Sequence, residues 1–165
     1  MTQARAMAFV LRMEDPTGTG VVVEDPNDPG GVTKYGIALR AHPELTADII
    51  RALTQPQAVA IYSTHYWQPI EGDRLPIWIQ TPMLDAAVNQ GVGTAIRMLQ
   101  ETIRVPVDGV LGPNTLRVLL ASQQGLVVSR FFARRIAHYM LDKDWPHYAV
   151  NWCQRACASV LDAYL

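Results

Sequence analysis

The residues in this chain best suited to acid–base chemistry are carboxylates gathered in one short stretch: Glu14, Asp15, Glu24, Asp25 and Asp28. Glu14 ends an apolar helical pattern. Pro16, Gly18, Gly20, Pro26, Pro29, Gly30 and Gly31 then interrupt the chain, so turns or a short hairpin must follow. A carboxyl at a helix C-terminus meets the negative end of the helix dipole, a placement that tends to raise its pKa and suits a proton donor. A glycosidase needs one carboxylic acid to protonate the leaving oxygen, and a second carboxylate or a positioned water across the sugar ring. Glu14 with Asp25 or Asp28 could supply that pair. Residues 25–31 are also rich in oxygen ligands, but they lack the alternating acids, sixth-position glycine and closing glutamate of a helix-loop-helix calcium site.

Other chemistries find no support. His42, His65, His138 and His147 show no paired spacing with acids or cysteines and read as surface or packing residues. Neither a Gly-x-Ser-x-Gly elbow nor a His-Glu-x-x-His pair occurs, so serine hydrolase and zinc protease readings fall away. Cys153 and Cys157 lie four apart in a helical segment and read as two small buried apolar residues, because Cys-x3-Cys without nearby histidines is not a zinc spacing. No metal and no cofactor is expected.

The elements that position Glu14 follow from periodicity. Ala6, Phe9, Val10 and Met13 mark a first helix over 3–13, stopped where Asp15-Pro16 forbids continuation. Val21–Val23 and Val32–Ile37 flank a Pro/Gly turn and suggest a small hairpin or irregular sheet. Helices are expected over 46–53 and 56–66, the second with Thr54 as N-cap, Gln57 three residues on and Pro56 in its first turn. Residues 67–80 read as an ordered loop, Pro82 as the start of a helix ended by Gly91 or Gly93, and 94–103 and 114–121 as further helices. Two amphipathic helices with a break at Trp145-Pro146 close the chain.

With 165 residues, the chain suits one domain that buries roughly 70% of its unfolded surface. Lys and Arg total 14 against 15 acids, which gives no reason to expect nucleic acid or an anionic membrane as partner. The apolar run before Arg12 is too short for a signal-peptide core or a span, so the expectation is a monomer folded in the cytoplasm without stable membrane insertion.

Several strings together resemble glycoside hydrolase family 108. They are Asp25-Pro26-Asn27-Asp28-Pro29-Gly30-Gly31-Val32-Thr33-Lys34-Tyr35-Gly36-Ile37 after the first-helix glutamate, Tyr62 with Tyr66-Trp67, and Asp85-Ala86-Ala87-Val88-Asn89-Gln90-Gly91. Leu99-Gln100 and Val107 to Thr115 resemble the peptidoglycan-binding-type region that accompanies the family. The resemblance implies a mainly α, lysozyme-like domain over 1–165, with a catalytic region at 1–92 and the binding-type helical region at 93–165. The activity it implies is that of an N-acetylmuramidase cutting the β-1,4 bond between N-acetylmuramic acid and N-acetylglucosamine in peptidoglycan. A phage or prophage endolysin would wait in the cytoplasm for a holin or a secretion system and act on the wall in the periplasm. A lytic transglycosylase and a non-catalytic peptidoglycan-binding module are the alternatives. By the same resemblance Glu14 is the acid; by analogy with phage-type lysozymes, which set a glutamate, an aspartate and a threonine around the scissile bond, Asp28 is the partner, with Asp25 as its rival, and Thr33 a holder of water. Asp25, Tyr35, Tyr66, Trp67, Asn89 and Gln90 are expected along the substrate. Family members usually follow the glutamate with Glu-Gly-Gly; here Asp15-Pro16 and several extra residues lengthen the path to Asp28.

Overall fold

Helices dominate a computed structural model of the protein, which describes residues 2–24, 31–162 and 164. The described residues form eight α-helices: α1 (Thr2–Glu14), α2 (Ala47–Ala52), α3 (Gln55–Tyr62), α4 (Ile77–Gln90), α5 (Val92–Ile103), α6 (Pro113–Leu120), α7 (Gln124–Tyr139) and α8 (Trp145–Asp162). A π-helical turn, Ser63–Trp67, extends α3, and a 3-10 turn spans Gly72–Arg74. The expected mainly helical fold with a small hairpin after the first helix is what the structure has.

The hairpin is tighter than the valine pattern suggests. Strands β1 (Thr33–Lys34) and β2 (Ile37–Ala38) pair antiparallel around Tyr35-Gly36. Both turn residues have positive φ, 51° and 76°, the geometry of a two-residue turn whose twist matches that of the strands. Val23 joins only through an isolated bridge to Thr33, while Val21 and Val23 remain exposed. The preceding insert is a closed loop: Asp15 accepts the Gly20 N–H at 2.7 Å and the Thr17 hydroxyl at 2.8 Å.

Helix α4 is the axis of the core. It packs on α1, α5, α7 and α8, and every residue from Ile79 to Ala87 is buried. A helix without a wet face is a core helix. Full burial of each large apolar side chain in it is worth roughly 1.5–3 kcal/mol. This explains why α4 begins at Ile77 and carries Pro82 inside, instead of starting at Pro82: the packing outweighs the lost backbone hydrogen bond. At α3, the Thr54 N–H donates to Gln57 Oε1 at 2.8 Å, the reciprocal contact the sequence foretells. The cysteines depart from expectation. Cys157 is exposed and Cys153 half-buried, because α8 buries Ala156 and Ser159 instead. His42 is buried, while His65 is exposed.

Gln100, fully buried in α5, organises the segment 107–115. Its Nε2 donates to Asp108 Oδ1 at 2.6 Å and to the Val110 carbonyl at 2.9 Å, and its Oε1 accepts the Gly109 N–H at 2.8 Å. Removing a buried amide that serves four partners, Thr115 at 3.4 Å included, in Gln100→Ala should cost about 1–3 kcal/mol in urea unfolding at neutral pH. Asp108 adds a pH signature. The Val110 N–H first, and Gln100 next, hold its carboxyl below the ordinary 3.8. A lowered folded-state pKa gives stability that is complete above 3.8 and is lost as pH falls through the lowered value. The gap between wild type and variant should therefore narrow in acid below pH 3.8; a constant gap would show that Gln100 acts without Asp108.

Candidate active site

Glu14, the last residue of α1, is half-buried and meets a residue 141 positions away. The Arg155 guanidinium donates to Glu14 Oε1 at 2.7 Å and, through Nε, to Asp85 Oδ1 at 2.8 Å. The second Asp85 oxygen accepts from Arg135 at 2.8 Å. Arg135 also donates to Ser159 Oγ at 3.1 Å, to Gln90 Oε1 at 3.0 Å and to the Tyr139 hydroxyl at 3.0 Å. Tyr139 donates in turn to Asn89 Oδ1 at 2.5 Å. One continuous polar network thus runs from Glu14 to Asn89 and Gln90.

Helix geometry builds it. Asp85 and Asn89 on α4, Arg135 and Tyr139 on α7, and Arg155 and Ser159 on α8 are three pairs spaced by four, each stacked on one helix face. The three faces converge beneath the end of α1. Asp85 is 0% exposed and Arg135 1%, so these charges survive burial only because each is matched. Burial acts against the Arg155 cation, but the charges of Asp85 and then Glu14 outweigh it and its pKa lies above the ordinary value.

On its other flank Glu14 rests against the hairpin turn. A Cβ on Gly36 would lie 2.7 Å from Glu14 Cβ and Cγ and 2.5 Å from the Tyr62 hydroxyl; no side chain fits there. Tyr62 donates to the Tyr35 carbonyl at 2.8 Å, locking turn to helix. Burial first, and the Glu14 charge second, push the Tyr62 and Tyr66 hydroxyls above their ordinary pKa, so both stay neutral phenols beside the carboxyl. Among the described residues, the one hydrogen-bond partner of the Glu14 carboxyl is Arg155.

A cleft of about 560 Å³ is lined by Met13, Pro16, Asn89, Asn151, Trp152 and Arg155, the last of which holds the Glu14 carboxyl. A recess of about 250 Å³ shares Asn89 and Trp152 and adds Gln90, Tyr139 and Asp142. Trp152 stacks with Tyr139 at 5.0 Å and with Tyr148 at 5.7 Å between ring centroids. An aromatic wall with amides opposite suits a polyhydroxy ligand that has apolar ring faces.

The expected site residues divide. Asn89 and Gln90 reach the network and the recess. Thr33 lies in the hairpin whose turn touches Glu14, exchanging two backbone bonds of 2.9 Å with Val23. Tyr35 gives the site its carbonyl, while its ring covers Gly20 and lines a separate hollow of about 350 Å³ beside Leu11 and Asp15. Tyr66 is half-buried, its ring 5.7 Å from that of Tyr62. Trp67 is placed in the core instead of along a substrate: it is buried against Gly72 and donates to Asp73 at 3.1 Å. Asp25 and Asp28 lie outside the described residues. Sequence reading missed Asp85, Arg135 and Arg155 as a set, and Trp152. The signal was there for two of them: Asp85 interrupts an apolar run and Arg135 sits between Phe131 and Tyr139 on a buried stripe, where an unpaired charge would be prohibitive.

Removing Asp85 leaves the buried Arg135 without a carboxylate and Arg155 with Glu14 alone, so Asp85→Ala should cost about 3–5 kcal/mol in denaturant unfolding. Arg51→Ala, which breaks the exposed pairs to Glu24 and Asp48, should cost less than about 1 kcal/mol. Equal losses would contradict the reading of Asp85 as a buried keystone.

The chain matches the family described as glycosyl hydrolase 108 over residues 7–91, which run from α1 to the residue after α4 and include Glu14, the hairpin, Asp85, Asn89 and Gln90. It is also similar to the solved structure of Brucella abortus SagA, at 29% identity and a TM-score of 0.86, over 99% of this chain and 94% of that one. No curated protein matches it. With more than half the chain inside the family match, this protein belongs to the glycosyl hydrolase 108 family.

Proposed function

We propose that the protein hydrolyses the glycan strands of peptidoglycan, cutting the β-1,4 bond between N-acetylmuramic acid and N-acetylglucosamine with Glu14 as the acid. The observation that carries this reading is that Arg155, which holds the Glu14 carboxyl at 2.7 Å, lines a cleft together with Trp152 and Asn89. Pyranose rings present apolar faces to such a wall, and N-acetyl groups offer donors and acceptors to such amides.

Glu14 gives its proton to the glycosidic oxygen as the bond to the anomeric carbon breaks. Water adds to that carbon and releases its proton to the carboxylate that orients it. The Arg155 guanidinium, 2.7 Å from Glu14 Oε1 in the resting structure, fixes the orientation of the carboxyl and balances the negative charge it carries once the proton has left. Asp28, or Asp25 in its place, steadies the positive charge developing on the sugar or orients the water, and Thr33 helps hold that water. The insert closed by Asp15 forms one lip of the cleft through Pro16 and so bears on which strands enter. Among the described residues no helix is long and apolar enough to cross a membrane. The activity suits an endolysin that reaches the wall through a holin lesion or a secretion apparatus.

Incubation of purified peptidoglycan with the wild type should release fragments ending in reducing N-acetylmuramic acid by mass spectrometry. Glu14→Gln should release at least about 100-fold less while keeping its circular dichroism spectrum. Fragments ending in 1,6-anhydro sugar would assign a transglycosylase, binding without any release would assign a wall-binding module, and undiminished hydrolysis by Glu14→Gln would remove Glu14 from the mechanism.

A further inference from the structure

Two histidines with no relation in the sequence meet across a glutamate. His42 Nδ1 lies 3.1 Å from Glu44 Oε1, and His65 Nε2 lies 3.6 Å from the same oxygen. One ligand atom from each of the three residues falls within a group no more than 4.8 Å across. A tetrahedral ion with bonds of 2.0–2.1 Å to nitrogen and oxygen sets its ligands about 3.3 Å apart, so two edges of such a polyhedron are already near that length. The donor set, two imidazoles and one carboxylate, suits zinc and its neighbours and not magnesium or calcium, which take oxygen.

The surroundings match those of a ligated histidine. His42 is buried, fixed by backbone bonds from its N–H to Ala38 and from Leu45 to its carbonyl. Its second ring nitrogen faces the Tyr66 hydroxyl at 3.4 Å, the kind of partner that orients a ligand imidazole. His65 and Tyr66 both lie in the π-helical turn, where the Gln68 N–H bonds back to Ser63 at 2.9 Å. Such turns are rare and recur at functional sites. Here the turn brings both side chains to the segment after the hairpin. His65 is 42% exposed and Glu44 47%, leaving the outer side open to water as a fourth ligand.

We propose that His42, Glu44 and His65 bind one zinc-class divalent ion, which pins the segment following β2 to the π-helical turn. Tyr66 connects this site to the reaction centre, since its ring packs on Tyr62, the residue that touches Gly36 beside Glu14. The inference does not depend on which sugar is cut.

Zinc chloride titrated into chelator-stripped, untagged protein tests it. Calorimetry should show one equivalent bound, and a hundredfold excess over the dissociation constant should raise Tm by about 5–10 °C, with no shift from magnesium. His65→Ala and Glu44→Gln change exposed residues and should each weaken binding at least tenfold. The double variant Cys153→Ser/Cys157→Ser should bind as the wild type does. The proposal is overturned by no binding at 100 μM zinc, an estimate set well above ordinary structural affinities, by unchanged binding in His65→Ala, or by binding that disappears with the cysteines. The first of these results would leave the three residues as an ordinary histidine–glutamate ion pair.

Discussion

Two carboxylates and two guanidiniums, Glu14, Arg155, Asp85 and Arg135, form a charge-balanced chain through the middle of this molecule. Asp85 and Arg135 have no access to water, so neither can be tolerated without the other. That requirement dictates how α4, α7 and α8 may pack, because Asp85, Arg135 and Arg155 must meet with hydrogen-bond geometry and not merely with apolar contact. A hydrophobic core of the same volume could tolerate sliding of one helix past another; a chain of directional bonds of 2.7–2.8 Å cannot. The Glu14 carboxyl is the end of that chain, so its position is inherited from the interior.

The other constraint on Glu14 is steric. Gly36, at the turn between two very short strands, approaches its side chain closely enough to exclude any Cβ, and Tyr62 ties that turn to α3. Glu14 is thus held by a charge pair on one flank and by backbone on the other. Arg155 also lines the cleft that holds Trp152 and Asn89, so the same residue links the Glu14 carboxyl to that cleft. Residues 93–165, which the resemblance associates with wall binding, also complete the site. Arg155 and Trp152 come from α8, although the family match ends at residue 91.

Local rules made some of this legible. The end of α1 at Glu14 follows from Asp15-Pro16, and the α3 cap from Thr54 and Gln57. The turn at Tyr35-Gly36 lies within the run read as strand, but the tight two-residue geometry depends on Tyr35 adopting positive φ, which a tyrosine does not advertise. Long-range pairing was not legible: nothing near Glu14 announces Arg155, and the three spacings of four become a network only once three helices converge. Asp85 and Arg135 could have been suspected, as charges on apolar faces. The start of α4 was misplaced because Pro82 signals a beginning locally, while burial on every side makes it an interior residue. His42 and His65 were read singly because their meeting is made by a turn and a π-helical shift, neither of which has a composition signature.

Arg155 holds the Glu14 carboxyl at 2.7 Å, in the position from which the proposed proton transfer starts. The most direct measurement is the turnover number of Arg155→Met on purified peptidoglycan, at a temperature where circular dichroism shows the variant folded. Misplacing a catalytic group by about 1 Å can cost 100-fold in rate, and a loss of that order in kcat, with binding to insoluble peptidoglycan retained, is the predicted result. A folded Arg155→Met that turns over at the wild-type rate would contradict it.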